Sequence, residues 1–331
     1  MASSRIVDGL LALYCLLLAY ALFAIWSYVE SVRATHPVLP HLQDLSLPLG
    51  SSLMFVCAHR AFQVFCRPLA SAVIPKKDKW SEIVYHSKLT RFGSAIFKFL
   101  FFTFFSGYSY AYALADAEWT PPSLFGRGST TKCWGDAMML PMGQHLDIFY
   151  KVALSYHASE LVFQFVYERE KPDFAEMLAH HATTCFLVLA SFLGNFVRIG
   201  SLVLFLHYVS DIPVYGAKIF VDTKQDVLTV LNLLGMLGSW GYLRLYCFPR
   251  YIISSTLFES VKERAEYGDV AYFSFNAGLI LLVLLQIYWY KLFIQMGLHV
   301  LLTGQQVDKQ ANLHAMDSKN GETDADGKKA Q

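Results

Sequence analysis

The stretch that decides the fold is residues 174–192, FAEMLAHHATTCFLVLASF, an apolar run interrupted by His180 and His181. A run of about 20 apolar residues is long enough to cross the hydrocarbon core of a membrane as an α-helix. Ionisable side chains at that depth are costly and face the interior of a helix bundle. The stretch therefore predicts a membrane helix whose two histidines belong to a buried site.

The composition of the whole chain also indicates a membrane protein. Of its 331 residues, 55% are hydrophobic and only 16% are charged, whereas soluble domains carry roughly 25% charged residues. The formal net charge is +1, so no basic or acidic bulk suggests nucleic acid as a partner. We expect an all-α polytopic membrane protein.

About eight transmembrane helices are predicted from the apolar segments. The first segment is longer than the apolar region of a signal peptide and follows a single basic residue, Arg5, so we expect a retained helix rather than a cleaved one. The segments are Ile6–Tyr28, Leu49–Val73, Gly93–Leu114, Asp147–Val166, Phe174–Phe192, Ile199–Phe220, Val227–Leu245 and Tyr272–Met296.

Basic residues in the connections predict the orientation, because cytosolic loops are enriched in lysine and arginine. Alternation then places the loops at 168–172 and 218–224 in the cytosol, together with both termini. The loops containing Cys133 and Cys247 fall on the lumenal side, and a disulfide between these cysteines is left open, since sequence does not fix pairing. The connection that sets the cytosolic side carries Lys76, Lys77, Lys79, Lys88 and Arg91.

The C-terminal residues 303–331 are polar and lack apolar periodicity, which predicts a disordered tail. The chain ends Lys328-Lys329-Ala330-Gln331, which matches the dilysine retrieval signal of endoplasmic reticulum membrane proteins. That signal must be cytosolic, as the predicted topology places it. A lysine-rich tail without a role in retrieval is the alternative.

Histidines and an aspartate are predicted to meet at one depth. His180 follows Asp173 by seven residues and Asp211 precedes Lys218 by seven, which places both roughly 10 Å inside the cytosolic boundary. His207 shares a helix face with Asp211. The group suits acid–base or nucleophilic chemistry. Structural hydrogen bonds, a metal site and a transport site are the alternatives. The sequence has no HExxH pair or repeated histidine boxes for a metal, and no inverted repeat for transport.

Four ordered motifs extend this pattern. They are DFAEMLAHHATT at 173–184, NFVRIG at 195–200, LHYVSD at 206–211 and AK at 217–218. They resemble the signature of TLC-domain ceramide synthases, roughly DFxEMxxHHxxT, NxxR[IV]G, LHDxxD and AK. Residues 60–70, Cys133-Trp134 and STLFES at 255–260 resemble further parts of that family, so the resemblance covers about Leu49 to Leu302.

The resemblance implies a sphingosine N-acyltransferase. Such an enzyme transfers a fatty acyl group from acyl-CoA to the amine of a sphingoid base, dihydrosphingosine or sphingosine, to give (dihydro)ceramide. It uses no cofactor, since acyl-CoA is a substrate, and it contacts membrane lipids. A homo- or heterodimer with another TLC protein is left open.

The resemblance also implies a domain organisation. Six helices within residues 93–302 would form a TLC-type helical barrel around a lipid cavity. Residues 49–92 would supply the family's first transmembrane helix and a basic cytosolic loop. Residues 1–48 look like an additional transmembrane helix with a lumenal loop, and residues 303–331 form the tail.

The residues that the resemblance implies as catalytic are His180, His181 and Asp211, with His207, Tyr208 and Arg198 in support and no metal. Tyr208 stands where the LHDxxD motif has its first aspartate. Tyrosine is bulkier and neutral at pH 7, although its hydroxyl still hydrogen-bonds. If the protein is an enzyme, Tyr208→Asp is therefore expected to preserve or raise activity. The alternative is a catalytically weak or inactive TLC protein that binds sphingolipid or regulates an active ceramide synthase.

Overall fold

The computed structural model describes residues 2–36, 38–78, 80–136, 140–171 and 173–303. Within these residues the chain forms α-helices joined by short 3₁₀ and π segments and contains no β-strand, so the predicted all-α class is confirmed. Lys79 and the predicted tail with its dilysine end lie outside the described residues. The α-helices are α1 (Ala2–Val32), α2 (Ser46–Phe65), α3 (Arg67–Val73), α4 (Glu82–Ser109), α5 (Gln144–Tyr167), α6 (Phe174–Leu193), α7 (Val197–Phe220), α8 (Asp226–Ser239) and α9 (Val261–Thr303).

Several of the described helices are long and apolar enough to cross a membrane, so the protein is a multi-pass membrane protein. Five qualify singly: Gly9–Val32, Glu82–Leu114, Phe174–Leu193, Val197–Phe220 and Gly268–Leu298. A sixth qualifies if Leu42–Phe65 and α3, which are bent by 43° at their break, form one span. The predicted count of eight and the barrel stay predictions.

Two predicted segments fall below that test for different reasons. α5 is long enough but carries polar and ionisable side chains, several of them buried, including Glu160 and Gln164. α8 is apolar but has only 14 residues, and the chain continues from it into a π segment, Trp240–Ile253. The apolar patterns therefore predicted where α5 and α8 lie in the chain, but they did not determine whether each helix crosses the membrane.

The connection before the last helix differs from its prediction as a loop. After Trp240–Ile253, a second π segment, Ser255–Glu259, leads directly into α9. Only Gly268 interrupts α9, with φ +80°, a conformation that glycine adopts without steric cost. The charged residues before Gly268 end the apolar pattern while the backbone stays helical, and the helix is broken by a kink at Gly268.

The chain divides into two compact units. The first comprises the residues up to Val56, Thr103–Ser210 and Ser239–Tyr288, and the second comprises Cys57–Phe102, Asp211–Gly238 and the residues from Trp289 onward. All four histidines of the candidate site described below belong to the first unit.

Helix α1 packs against α6 in the first unit. Its buried residues Ala21, Ile25 and Val29 recur every four positions and join a hydrophobic core with residues of α6 and α7, as expected for one face of an amphipathic helix. The Tyr14 hydroxyl and Thr183 Oγ1 are 2.6 Å apart in a hydrogen bond. Helix α1 is therefore attached directly to the helix that carries the paired histidines.

At one end of the first unit, the loop after α4 is bonded to the π segment before α9. Trp134 Nε1 donates to Ser255 Oγ at 2.8 Å, and Thr130 Oγ1 donates to Glu259 Oε2 at 2.9 Å. These two connections therefore lie on the same side, as the predicted topology requires. Cys133 and Cys247 are buried free thiols in this structure.

In the second unit, α4 is tied to the turn after α7. Lys88 Nζ donates to Asp222 Oδ1 at 2.8 Å, and Arg91 donates to the other carboxylate oxygen. Because α4 begins at Glu82, Lys88 and Arg91 lie on a helix and not in the loop where the sequence placed them. The contact puts the two connections on one side, as the basic-residue pattern predicts.

Candidate active site

The paired histidines lie in the second turn of α6, which begins at Phe174. Their ring centroids are 5.3 Å apart, and the ring planes are inclined by 57°. Adjacent residues on a helix differ in direction by about 100°. The two rings therefore face different parts of the protein, and a site that uses both must extend across more than one neighbouring helix.

Three further ionisable side chains lie within electrostatic range of His180. They are His157 on α5, His207 on α7 and Arg244 in the π segment Trp240–Ile253, in addition to His181. The structure thus places His207 within electrostatic range of His180. It also adds two residues, His157 and Arg244, that were not among the predicted site residues.

His207 is hydrogen-bonded at both ring nitrogens. Nδ1 is 2.7 Å from the Val203 carbonyl oxygen, which can only accept, so Nδ1 carries the proton. Nε2 lies 2.6 Å from Gln286 Nε2 on α9 and accepts from that amide. This network assigns His207 a neutral ring with its proton on Nδ1. His207 is therefore held in place by α7 and α9.

Arg244 is a buried cation that supports the same region. Only 3% of it is exposed. Its Nε donates to Ser210 Oγ at 2.5 Å and a terminal nitrogen donates to the His207 carbonyl at 2.9 Å. The guanidinium lies 3.8 Å from the centre of the Trp240 ring, a cation–π contact. Trp240 Nε1 in turn donates to the Gln286 carbonyl at 3.2 Å, which closes a ring of contacts around His207.

Tyr208, the departure from the family motif, points to α5. Its hydroxyl is 3.1 Å from His157 Nε2, and its ring meets Phe149 edge to face at 5.9 Å. Only 1% of Tyr208 is exposed. The tyrosine therefore fills a closed space and gives His157 a fixed hydrogen-bond partner.

The remaining predicted residues lie apart from this cluster or in the other unit. Arg198 lies over the Trp119 ring at 5.4 Å, nine residues before His207 on α7, which is roughly 13 Å along the helix. Asp211 follows His207 by one helical turn on α7 but belongs to the second unit. Its position beside the paired histidines stays a prediction.

Among the described residues, no group of three or more histidine, cysteine, aspartate or glutamate side chains is arranged to hold a metal ion. An apolar groove of about 500 Å³ lies on the other side of α6. Residues of α1, α5 and α6 line it, and the least apolar of them are the thiols of Cys15 and Cys185. The groove suits hydrocarbon and offers no group for chemistry.

The residues that sequence reasoning missed share one signal. His157, Arg244 and Gln286 each lie inside a segment that the apolar pattern had already assigned to the membrane. Polar side chains at such positions face the bundle interior and mark functional sites. A search of every apolar segment for ionisable or amide side chains would have found all three.

These features define a class: a multi-pass helical membrane protein with a group of partly buried histidines in its first compact unit. Residues 91–295 match the TLC domain. The chain therefore belongs to the TLC-domain family. That match covers the helices that carry the histidine cluster and leaves α1 outside.

Individual relatives agree with this family. ASC1-like protein 3 of Oryza sativa subsp. japonica is 28% identical over 253 residues, covering 74% of this chain and 86% of the relative. Ceramide synthase LOH2 of Arabidopsis thaliana is 31% identical, covering 47% of this chain and 54% of the relative. Ceramide synthase 4 of Bos taurus is 30% identical, covering 62% of this chain and 49% of the relative. The chain thus spans about half the length of these two ceramide synthases.

Proposed function

We propose that this protein is a ceramide synthase-like N-acyltransferase. It transfers a fatty acyl group from acyl-CoA to the amine of a sphingoid base. The observation that carries the proposal is the grouping of charged and titratable side chains around His180. The buried His181 and Arg244 and the half-buried His157 and His207 lie within electrostatic range of it. Relatives named ceramide synthase support the choice of reaction.

The reaction forms a C–N bond and breaks the thioester C–S bond. The amine arrives as an ammonium and must lose a proton before it can attack. Either His180 or His181 accepts that proton as a general base, or one of them attacks the thioester and carries the acyl group as an acyl-imidazole. In both routes the ammonium loses two protons: one leaves with the CoA thiol, and the other is released to solvent through the paired histidines. No cofactor takes part, and acyl-CoA is a substrate.

The other residues of the site support the paired histidines. His207 already uses both ring nitrogens, so its part is to hold α7 and α9 together beside them. We propose that Asp211 orients one imidazole of the pair and stabilises its charged form, as the carboxylate does in a catalytic triad.

Microsomes that contain the protein test this proposal. They are given a sphingoid base and labelled acyl-CoA donors of several chain lengths, and the N-acyl product is measured. We expect product above the background of microsomes without the protein, and none with His180→Ala at equal protein abundance. Absence of product with every donor would overturn the acyltransferase proposal, and an unchanged rate with His180→Ala would remove the histidine chemistry.

Tyr208 favours a second candidate, a TLC protein that binds sphingolipid or regulates an active ceramide synthase. A buried tyrosine stands at the first aspartate of the motif, and the rice relative's name does not state an activity. This candidate predicts sphingolipid binding to the purified protein without product. It also predicts an altered product yield when the protein is co-expressed with an active ceramide synthase.

We further propose that the protein resides in the endoplasmic reticulum membrane with both termini in the cytosol. The support is the predicted loop charge pattern and the relatives named ceramide synthase. Tags at each terminus in sealed microsomes should be removed by added protease without detergent. Protection of either tag would overturn that topology.

A further inference from the structure

We infer that His157 and Tyr208 form a positioning pair of this site, in which Tyr208 holds His157 oriented and uncharged beside the paired histidines. The inference rests on the proposed function, because it assigns a role within the same reaction. It starts from the 3.1 Å hydrogen bond between the Tyr208 hydroxyl and His157 Nε2.

The surroundings hold the pair in one geometry. The two ring centroids are 5.8 Å apart, and Phe149 packs against the edge of the Tyr208 ring. Tyr208 is fully enclosed, so its hydroxyl has little freedom to turn to another partner. A hydrogen bond that is preorganised in this way fixes the ring orientation of the histidine it meets.

His157 matters to the chemistry because its charge acts on its neighbours. It lies within electrostatic range of both His180 and His207. Arg244 already places one positive charge within range of the same two histidines. A proton on His157 would add a second positive charge and would oppose the arrival of a proton at His180.

Tyrosine at position 208 keeps His157 uncharged better than aspartate would. A phenol hydroxyl is neutral at pH 7 and can donate or accept, so it satisfies a neutral imidazole. An ionised carboxylate near an imidazole favours the charged imidazolium. The side chain of aspartate is also much shorter than that of tyrosine, so an aspartate at 208 leaves unfilled space beside Phe149. The structure therefore reverses the expectation from the motif, and Tyr208→Asp should lower activity.

Four variants test the pair in the microsomal assay. Tyr208→Phe removes only the hydroxyl, and His157→Leu removes the ring nitrogens. We expect each to lower kcat about tenfold, the effect of losing one hydrogen bond in the site, with a smaller change in KM for the sphingoid base. The double variant should be no slower than the slower single variant, because both changes break the same contact. His157→Gln, which can still hydrogen-bond to the hydroxyl, should recover part of the rate.

A matched control separates positioning from packing. Tyr150 on α5 is also a buried tyrosine, and its hydroxyl is 2.7 Å from Ser191 Oγ on α6. It lies seven residues before His157, roughly 10 Å along the helix. Tyr150→Phe removes a hydrogen bond of the same kind away from the cluster and should leave kcat nearly unchanged. The midpoint of thermal unfolding should fall by similar amounts in Tyr150→Phe and Tyr208→Phe.

The outcomes distinguish this inference from the proposed function. If the unmodified protein forms no amide, the proposed function fails. If it does form amide, but Tyr208→Phe and His157→Leu behave like Tyr150→Phe, the pair has no positioning role and only this inference is overturned. Additive effects in the double variant, or a Tyr208→Asp protein faster than the unmodified one, would also overturn it.

Discussion

The two hydrogen bonds of His207 suit a structural role better than a chemical one. Both ring nitrogens are engaged, with Val203 and with Gln286. His207→Phe keeps most of the volume but leaves the buried Gln286 amide without its acceptor. We expect a loss of about 1–3 kcal/mol in the free energy of unfolding, measured as a lower thermal midpoint in detergent. Activity per folded molecule should fall much less than with His180→Ala. Loss of all activity at an unchanged midpoint would place His207 in the chemistry.

Replacement of the buried Arg244 tests whether its contacts stabilise the fold. It donates to Ser210 and to the His207 carbonyl while lying on Trp240. Lysine has neither the planar fork nor the stacking surface for these contacts. Arg244→Lys should therefore lower the free energy of unfolding by about 1.5–3 kcal/mol, again measured as a thermal midpoint. Arg250→Lys, at an exposed arginine of the same π segment, is the control and should change the midpoint little. Equal midpoints for both variants would contradict the structural role.

At this scale the sequence singled out residues that the structure brings near one another, and their catalytic roles stay predictions. His180, His181 and His207 are ionisable residues in apolar segments, and the structure places His181 and His207 within electrostatic range of His180. Arg244 and His157 carry the same signal, but they lie in segments outside the matched motifs. The contacts of His157 and Arg244 depend on how α5 and the π segment pack against α7. Residue spacing along the chain does not predict that packing.

At the scale of elements, the link between the loop after α4 and the π segment before α9 can be tested through Cys133. Burial raises the pKa of this thiol, Arg198 lowers it and the Glu259 carboxylate raises it further. A raised pKa means less thiolate at a given pH, so Cys133 should react with maleimide slowly, and only at higher pH than an ordinary thiol. Glu259→Ala removes a negative charge and the bond to Thr130. It should therefore speed the labelling of Cys133 and shift its onset to lower pH.

The design needs a protein in which Cys133 is the only cysteine, since the chain has six. Glu170→Ala removes an exposed glutamate from the loop before α6 and is the matched control. It should leave the labelling of Cys133 unchanged. If Glu259→Ala labels no faster than this control, the π segment does not hold the loop in place.

Helix boundaries show what hydropathy alone fixes. The apolar pattern predicted that the third segment starts at Gly93, but α4 begins at Glu82. It also predicted that the seventh segment ends at Leu245, but helical turns continue after α8 through Ile253. Charged side chains end an apolar pattern, whereas the backbone needs only its own hydrogen bonds to continue as a helix. Lys88 extends from such a polar turn to Asp222, and neither hydropathy nor spacing along the chain predicts this contact.

At the scale of the whole molecule, both tested loop pairings agree with the predicted alternation of sides. In the first unit the connections before α5 and before α9 meet through Trp134 and Ser255. In the second unit α4 meets the turn after α7 through Asp222. Both contacts are compatible with the predicted alternation, and the side of the membrane on which each connection lies stays a prediction. The number of membrane crossings does not determine which helix α1 contacts. Only the structure shows that α1 packs against α6.

The groove between α1, α5 and α6 allows that docking to be tested in a bilayer. Because its lining is apolar, a membrane-partitioning alkyl diazirine should enter it and, on illumination, label the α6 peptide around Cys185. Ala19 lines the groove, whereas Ala12 is an exposed residue of α1 outside it. Ala19→Phe fills the groove and should reduce labelling at Cys185 severalfold, while Ala12→Phe should leave it unchanged. If α1 were separate from α6 in the membrane, the two variants would label alike, because neither ring could shield α6 from the surrounding hydrocarbon.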